Sequence, residues 1–249
     1  MLKPLFDEPK IDTHFHSGGW NVVQPAQHTL GLSRILDRYS IMLAVTSSTR
    51  ALNDALEAGN AETARLCADD PRFRGLVVVN PLEPEKSLAE MDKYQDDSQF
   101  VGIKTIQDFY GLGLDDPRYS GILDKAANWN WPVMAHTGGM VDVAGHWPMN
   151  FIAAHATHGF EPLLRYANVY FDIATSPTLK ARCPLAELIR RAGRRSVLFS
   201  SDAPLIDPAL TLGKLASLDL GADTLAQIFR QTALIAFPRL REAPSTRLR

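Results

Sequence analysis

The chain has 249 residues, of which 45% are hydrophobic, with 28 acidic and 26 basic side chains and a formal net charge of −2. This composition supplies an ordinary globular core. The near-neutral charge argues against binding to nucleic acid or to an anionic membrane surface.

The cysteine content and the chain ends bear on the cellular compartment. Cys67 and Cys183 form no C-x-x-C pair, so we expect reduced thiols and a cytoplasmic protein. The N-terminal residues lack the long apolar stretch of a signal peptide, and no segment is apolar enough to be a membrane span. Nothing in the composition decides the oligomeric state, and a homo-oligomer is allowed.

Eight short apolar runs along the chain have the features of β-strands. Several are continuous rather than alternating, with Leu76-Val77-Val78-Val79 the clearest, which is typical of parallel strands covered on both faces. The predicted strands span residues 10–16, 41–46, 75–80, 100–105, 131–136, 151–155, 169–173 and 196–200.

Helical patterns occupy most of the intervals between these runs. The predicted helices span residues 29–39, 51–68, 85–94, 117–129 and 179–192. A last helix is predicted to begin at Thr224, where Thr224-Leu225-Ala226-Gln227 fits a capping box. Because the intervals after the fifth and sixth strands are short, we expect one helical turn or none within 137–150 and a short helix near 161–166.

Strand and helix thus alternate roughly eight times, as in an open doubly wound sheet or a closed barrel. Eight units in one domain favour the barrel, and no G-x-G-x-x-G or Walker-type loop follows the first strand. We predict an α/β protein with a distorted TIM (β/α)8 barrel and shortened crossovers after the fifth and sixth strands. The domain is predicted to span residues 1–240, with 241–249 as a flexible tail.

Five of the strand-like runs end in side chains that could bind a metal, namely His14 with His16, Lys104, His136, His155 and Asp202. A closed parallel barrel brings the C-terminal ends of its strands to one mouth, so these groups are predicted to meet around an ion. Residues i and i+2 of a strand share a face, so both His14 and His16 can point into the mouth. Asp12, deeper on that face, is expected to orient them.

Each of these residues also has an ordinary structural interpretation. An isolated H-x-H is more often a core or surface pair, and a lone histidine such as His136 is more often a hydrogen-bonded structural group. Asp202 could cap a helix that follows Pro204. His155 could be a base, a substrate polariser or a ligand to a second metal. The recurrence of such residues at several strand ends favours a shared site.

The order of these motifs resembles the amidohydrolase superfamily, and more narrowly its amidohydrolase-related (amidohydrolase 2) family of hydrolases and decarboxylases. The likeness runs nearly end to end through Ile11-Asp12-Thr13-His14-Phe15-His16, Pro71-Arg72-Phe73, Val101-Gly102-Ile103-Lys104, His136-Thr137-Gly138, Val169-Tyr170-Phe171-Asp172 and Phe199-Ser200-Ser201-Asp202-Ala203-Pro204. It implies a distorted (β/α)8 barrel and a divalent ion, commonly zinc.

By this resemblance the metal ligands are His14, His16, His136 and Asp202, and His155 contacts substrate or metal-bound water. In some branches a lysine at the position of Lys104 is carbamylated and bridges two metals, whereas in others it binds none. An unmodified lysine would be repelled by a dication unless it is neutralised or turned away. We expect one metal, with carbamylated Lys104 and a second metal, also contacted by His155, as the alternative.

The expected activity is hydrolysis of a small amide, ester or lactone-type substrate by a metal-activated water, with Asp202 and His155 as catalytic residues. The alternatives are a lyase, meaning a decarboxylase or hydratase acting on a small carboxylic acid with the same ligands, and a catalytically inert metal-binding barrel. Departures from the family pattern after His136 and His155 leave the substrate open. Candidate pocket residues, each of which could instead be ordinary loop packing, are Arg50, Phe109, Tyr110, Trp20, His146, Trp147 and His158.

Overall fold

Eight parallel strands alternate with helices and form a nearly closed barrel in the computed structural model of the chain. The structure describes residues 3–18, 29–53, 55–156, 160–174 and 185–242. All eight predicted strands and the TIM-barrel class are confirmed. The strands are β1 (Lys10–Ser17), β2 (Ile41–Ser48), β3 (Phe73–Val78), β4 (Phe100–Lys104), β5 (Val133–Ala135), β6 (Phe151–Ala153), β7 (Val169–Asp172) and β8 (Val197–Leu198).

The barrel closes between β1 and the chain that follows β8. Consecutive strands pair in parallel from β1 to β8. Across the seam, Thr13 N–H donates to Phe199 O (3.0 Å), Asp202 N–H donates to His14 O (2.9 Å) and His16 N–H donates to Ala203 O (2.7 Å). These bonds place the histidines of β1 directly beside Asp202.

Helices cover the outside of the barrel and its floor. They are α1 (Lys3–Asp7), α2 (Thr29–Arg38), α3 (Thr49–Asn53), α4 (Leu56–Asp69), α5 (Pro84–Tyr94), α6 (Ser120–Asn128), α7 (Met140–Val143), α8 (Leu185–Ala192), α9 (Ala209–Ala216), α10 (Ala222–Ala226) and α11 (Thr232–Ala236). Shorter 3-10 turns span Gln107–Tyr110, Pro117–Tyr119, Glu161–Arg165 and Pro238–Glu242, and a π turn spans Gln227–Gln231. Among the described residues no helix has the length and apolar character to span a membrane.

The two short crossovers are confirmed, since only the one-turn α7 follows β5 and a 3-10 turn follows β6. The predicted helix over 51–68 is instead two helices, α3 and α4. Leu52 of α3 and Leu56 of α4 both lie in one buried cluster with Val78 and Ile106. The two helices approach so closely that a Cβ on Gly59 would lie 2.2 Å from Ala51 N, which explains a glycine there.

The predicted capping box at Thr224 is wrong. The helix begins two residues earlier, at Ala222, and its N-cap is Gly221 without a side-chain hydrogen bond. The Gln227 amide cannot reach back to the N-terminus, because it points inward and its Nε2 donates to Thr232 Oγ1 (3.2 Å) in the π turn.

The C-terminal segment fills the floor of the barrel. Phe237 and Leu240 are fully buried against interior strand residues such as Ile11 and Met134. Arg239 donates to the carbonyls of Gln95 and Phe100, where β4 begins. The N-terminal ends of the strands are therefore covered, and the open end of the barrel is the one that carries the strand-terminal polar groups.

Truncating this floor should destabilise the protein. Phe237→Ala removes a fully buried ring and should lower the free energy of unfolding by about 3–5 kcal/mol, the usual range for such a cavity. Urea denaturation followed by circular dichroism measures the change. Ile235→Ala is the matched control, because that side chain is 40% exposed on the same segment. Equal losses in both variants would contradict the role of Phe237.

Candidate metal centre

The ends of β1 and β8 bring three potential ligand atoms together in the barrel mouth. His14 Nε2 lies 3.1 Å from His16 Nε2. Asp202 Oδ1 lies 3.2 Å from His16 Nε2 and 3.7 Å from His14 Nε2. All three side chains are buried, so they have almost no contact with bulk water.

The two other histidines extend this group across the mouth. The His155 ring lies 4.8 Å from the His14 ring, between centroids. The ligand atoms of His14, His155 and Asp202 all lie within 4.8 Å of one another. The His136 ring stands one step further out, 5.4 Å from that of His155. His136 is thus the peripheral member of the cluster.

Each of these four histidines has its Nδ1 against an oxygen acceptor. A neutral imidazole carries one N–H and one lone pair; for His14, His136 and His155 we assign the hydrogen to Nδ1 because an oxygen faces it, which leaves the lone pair on Nε2. His16 has an oxygen near both nitrogens, since its Nε2 also lies 3.2 Å from Asp202 Oδ1, so its hydrogen can lie on either one. The partners of Nδ1 are Asp172 Oδ2 for His14 (2.5 Å), Ser47 O for His16 (3.1 Å), Asp108 Oδ2 for His136 (2.7 Å) and Ala174 O for His155 (3.2 Å).

These tautomers make the centre of the cluster a site for a cation. His14 Nε2, His16 Nε2 and Asp202 Oδ1 lie within 3.7 Å of one another, and such converging acceptor atoms are stabilised by a proton or a cation that they share. Protonation of His14 is disfavoured, since burial and the charge of Lys104 lower its pKa to about 3. Unprotonated imidazoles and a carboxylate are the donor set that zinc prefers, so the residues present fit a divalent ion.

Lys104 lies inside the same group. It is fully buried at the end of β4, and its Nζ is 3.1 Å from His14 Nε2. Burial lowers the pKa of Lys104 to about 8, although the charges of Asp172 and Asp202 oppose the shift. The amine therefore gives up its proton more easily than a surface lysine does.

Asp172, at the end of β7, contacts the cluster, although from the sequence it was only the last residue of a family motif and had no predicted role. It is fully buried and accepts hydrogen bonds from His14 Nδ1, Ala174 N (2.6 Å) and Ser200 Oγ. Burial alone would raise the pKa of Asp172, but His14 and these bonds hold it well below its usual range. The available signal was the one that pointed to Asp202, an acidic residue that ends an apolar run.

Asp12 does not hold a histidine ring, contrary to the expectation from its face of β1. Its Oδ1 accepts from the backbone N–H of His14 and of Ser201 (both 3.1 Å), and its Oδ2 accepts from Ser201 Oγ (2.5 Å). The carboxylate therefore ties the start of the β8 loop to β1. Asp172 occupies the place expected for Asp12 beside His14.

Backbone geometry sets Asp202 and His155 apart from ordinary strand residues. Both have positive φ, 67° and 52° respectively, a region that non-glycine residues seldom adopt and that concentrates at functional sites. The helix-cap interpretation of Asp202 is wrong, because the next helix begins at Ala209 and its N-cap is Pro208.

The predicted pocket residues are dispersed. Arg50 is exposed on α3, directly after β2, and Phe109 and Tyr110 lie in the 3-10 turn after β4. His146 and Trp147 line a different cleft of about 470 Å³, together with Asp115, Asp124, Asp142 and Val143. Trp20 and His158 lie outside the residues that the structure describes.

Comparison with known proteins agrees with this architecture. A family model described as Amidohydrolase matches residues 11–239. Among solved structures, 2,6-dihydroxybenzoate decarboxylase from Rhizobium is 16% identical, with a TM-score of 0.70, covering 93% of this chain and 99% of that one. The chain is also 16% identical to 4-oxalomesaconate hydratase from Rhodopseudomonas palustris, with a TM-score of 0.74, covering 94% of this chain and 97% of that one. It is 14% identical to 5-carboxyvanillate decarboxylase from Sphingomonas paucimobilis, with a TM-score of 0.70, covering 92% of this chain and 99% of that one.

At such identities these likenesses show the shared barrel fold. The solved structures named here are of enzymes, two decarboxylases and a hydratase. Sequence comparison with curated proteins gave no significant match.

Removing the Asp172 carboxylate should destabilise the protein. Asp172→Ala leaves the buried donors of His14, Ala174 and Ser200 without this acceptor, and each unsatisfied buried donor costs about 1–3 kcal/mol. We expect urea denaturation to give a loss of about 3 kcal/mol or more. Ser200→Ala removes one donor to this carboxylate, and its free energy of unfolding should fall clearly less. If Asp172→Ala loses no more stability than Ser200→Ala, the carboxylate does not organise the site.

Proposed function

Because the chain belongs to the amidohydrolase family, we propose that it is a metal-dependent hydrolase acting on a small amide, ester or lactone-type substrate. The observation that carries this proposal is the tautomer pattern. Four histidines have Nδ1 against oxygen acceptors, so Nε2 is the nitrogen with which each ring would bind an ion beside Asp202.

In this proposal His14, His16, His136 and Asp202 hold one divalent ion, most simply zinc. When bound, such an ion lowers the pKa of a coordinated water toward about 7 and polarises a carbonyl group. Lys104 remains unmodified beside it; its pKa is lowered to about 8, and the positive charge of a bound ion would lower it further and favour the neutral amine. A carbamylated Lys104 with a second ion is the alternative, and it requires a metal-to-chain ratio near two.

Asp202 is proposed to accept the proton of the attacking water and to deliver it to the leaving group. Burial would raise the pKa of Asp202, but the histidines beside it lower the pKa below its usual value, so the carboxylate is ionised at neutral pH and can accept a proton. Its backbone N–H is fixed by His14 O at 2.9 Å. The carboxylate therefore has a defined position relative to the other ligands.

His155 is proposed to exchange a proton with the substrate. Because its Nδ1 faces Ala174 O (3.2 Å), its Nε2 accepts a hydrogen bond in the neutral ring. It can stabilise a developing oxyanion only after it has taken up a proton, so a proton-accepting step has to come first.

A lyase is the second candidate function. The observation that favours it is the fold likeness to two decarboxylases and a hydratase. In this version the same residues hold the ion, and Asp202 takes a proton from water or from the acid substrate and gives it to a substrate carbon instead of a leaving group. Arg50, exposed after β2, is the proposed partner of a substrate carboxylate, with Phe109 and Tyr110 beside the substrate body.

Product analysis separates the two functions. Incubating the zinc-loaded protein with panels of small esters, lactones, amides and aromatic or unsaturated carboxylic acids should identify a turned-over compound. A new carboxylate formed with uptake of water indicates hydrolysis, whereas release of carbon dioxide or hydration of a double bond indicates a lyase. No turnover by the metal-loaded protein on either panel would favour the inert barrel.

Metal content tests the ligand assignment. His14→Ala/His16→Ala should lose most bound metal, because two imidazoles that face the centre are gone; elemental analysis of the purified protein measures this. His146→Ala is the control, since His146 lines the separate cleft, and it should keep the wild-type ratio, which we expect to be near one. Full occupancy in the double variant would contradict the assignment.

The role of Asp202 can be tested without disturbing the fold. Asp202→Asn preserves the shape of the side chain but removes the proton acceptor, so turnover of the identified substrate should fall by about 10²-fold or more. The circular dichroism spectrum should be unchanged. Near-wild-type turnover would mean that Asp202 is not the acid–base group.

A further inference from the structure

His136 is held differently from the two histidines of β1. Strand β5 ends at Ala135, so His136 lies beyond the strand ladder. Its side chain is 26% exposed, whereas His14 and His16 are buried. A ligand in this position needs another element to fix it, and the 3-10 turn Gln107–Tyr110 after β4 supplies the contacts.

Gln107 fixes the backbone of His136. Its side chain is fully buried, its Oε1 accepts from His136 N (3.1 Å), and its Nε2 donates to His136 O (2.5 Å) and to Gly138 O (2.9 Å). These bonds replace the strand pairing that ends one residue earlier. The position of the His136 Cα is thereby tied to the turn that follows β4.

Asp108, the next residue, fixes the ring. Its Oδ2 lies 2.7 Å from His136 Nδ1. A carboxylate that accepts the Nδ1 hydrogen sets the tautomer, fixes the ring rotation and increases the basicity of Nε2. With backbone and ring both held by consecutive residues, Nε2 of His136 has one orientation available to it.

We propose that Asp108 is a positioning residue that prepares His136 to bind the metal ion, an inference that rests on the proposed function. The pair itself contributes little to stability, because the Asp108 side chain is 59% exposed and exposed ion pairs are weak. Its removal should therefore appear in metal affinity rather than in the stability of the fold.

The test compares zinc affinity among single variants. Asp108→Ala should bind zinc about 10- to 100-fold more weakly than wild type, the usual effect of losing a group that orients a ligand. Asp108→Asn should recover most of the affinity, since its amide oxygen still accepts the Nδ1 hydrogen. Asp142→Ala, an exposed carboxylate in the separate cleft, should match wild type. Competition with a chromophoric chelator gives the affinities, and thermal melting of the metal-free proteins checks the fold.

A double variant shows whether Asp108 acts through His136. In a His136→Ala background, Asp108→Ala should cause no further loss of zinc affinity. The cobalt-substituted Asp108→Ala protein should also show an altered visible absorption spectrum, which Asp108→Asn restores.

The outcomes separate this inference from the proposed function. The role of Asp108 alone would be overturned if the wild type binds zinc and Asp108→Ala binds it equally tightly. It would also be overturned if Asp108→Ala lowers zinc affinity by the same factor in the His136→Ala background as in the wild type. A wild-type protein that binds no zinc, cobalt or manganese would overturn the proposed function and the role of Asp108 with it.

Discussion

The seam between β1 and the segment after β8 is the constraint on which the site depends. Hydrogen bonds at Thr13, His14 and His16 connect β1 to Phe199, Asp202 and Ala203, and Asp12 ties the same segments together through Ser201. Parallel strands closed in this way bring residues nearly two hundred positions apart to adjacent places. The cluster of His14, His16 and Asp202 is therefore a direct consequence of barrel closure.

The chemistry of the mouth follows from burial acting on these residues. Imidazoles removed from water favour the neutral form, and oxygen acceptors on their Nδ1 atoms leave Nε2 as the nitrogen that would bind an ion. Asp172 and Asp202 keep their charge because the histidines beside them outweigh burial. The result is an electron-rich centre that favours a cation, with Lys104 Nζ 3.1 Å from His14 Nε2. Such a centre can support hydrolysis or a lyase reaction, and the chemistry of the bound substrate determines which of the two occurs.

Most of the fold could be predicted from the sequence, because buried parallel strands have continuous apolar runs and their polar ends are conspicuous. The prediction failed where tertiary packing overrides local pattern. One helical pattern is split into two helices, whose Leu52 and Leu56 share a buried cluster with Val78 and Ile106, and Gln227 turns inward to Thr232 instead of capping a helix.

The supporting residues of the site were harder to predict for a related reason. Asp172 and Asp108 contact His14 and His136, which lie 158 and 28 residues away along the chain, and no local spacing encodes such pairs. The sequence shows an acidic residue at the end of a predicted strand at position 172, but it does not show that this residue contacts His14. Asp12, by contrast, shares a strand face with His14, yet its carboxylate is taken by Ser201.

Anomalous diffraction at the zinc edge from crystals of the zinc-loaded protein tests the central claim most directly. The account predicts one strong peak in the barrel mouth, about 2.0–2.2 Å from Nε2 of His14 and His16 and from a carboxylate oxygen of Asp202. A map with no peak there, or with these side chains directed to separate places around a metal bound elsewhere, would contradict it.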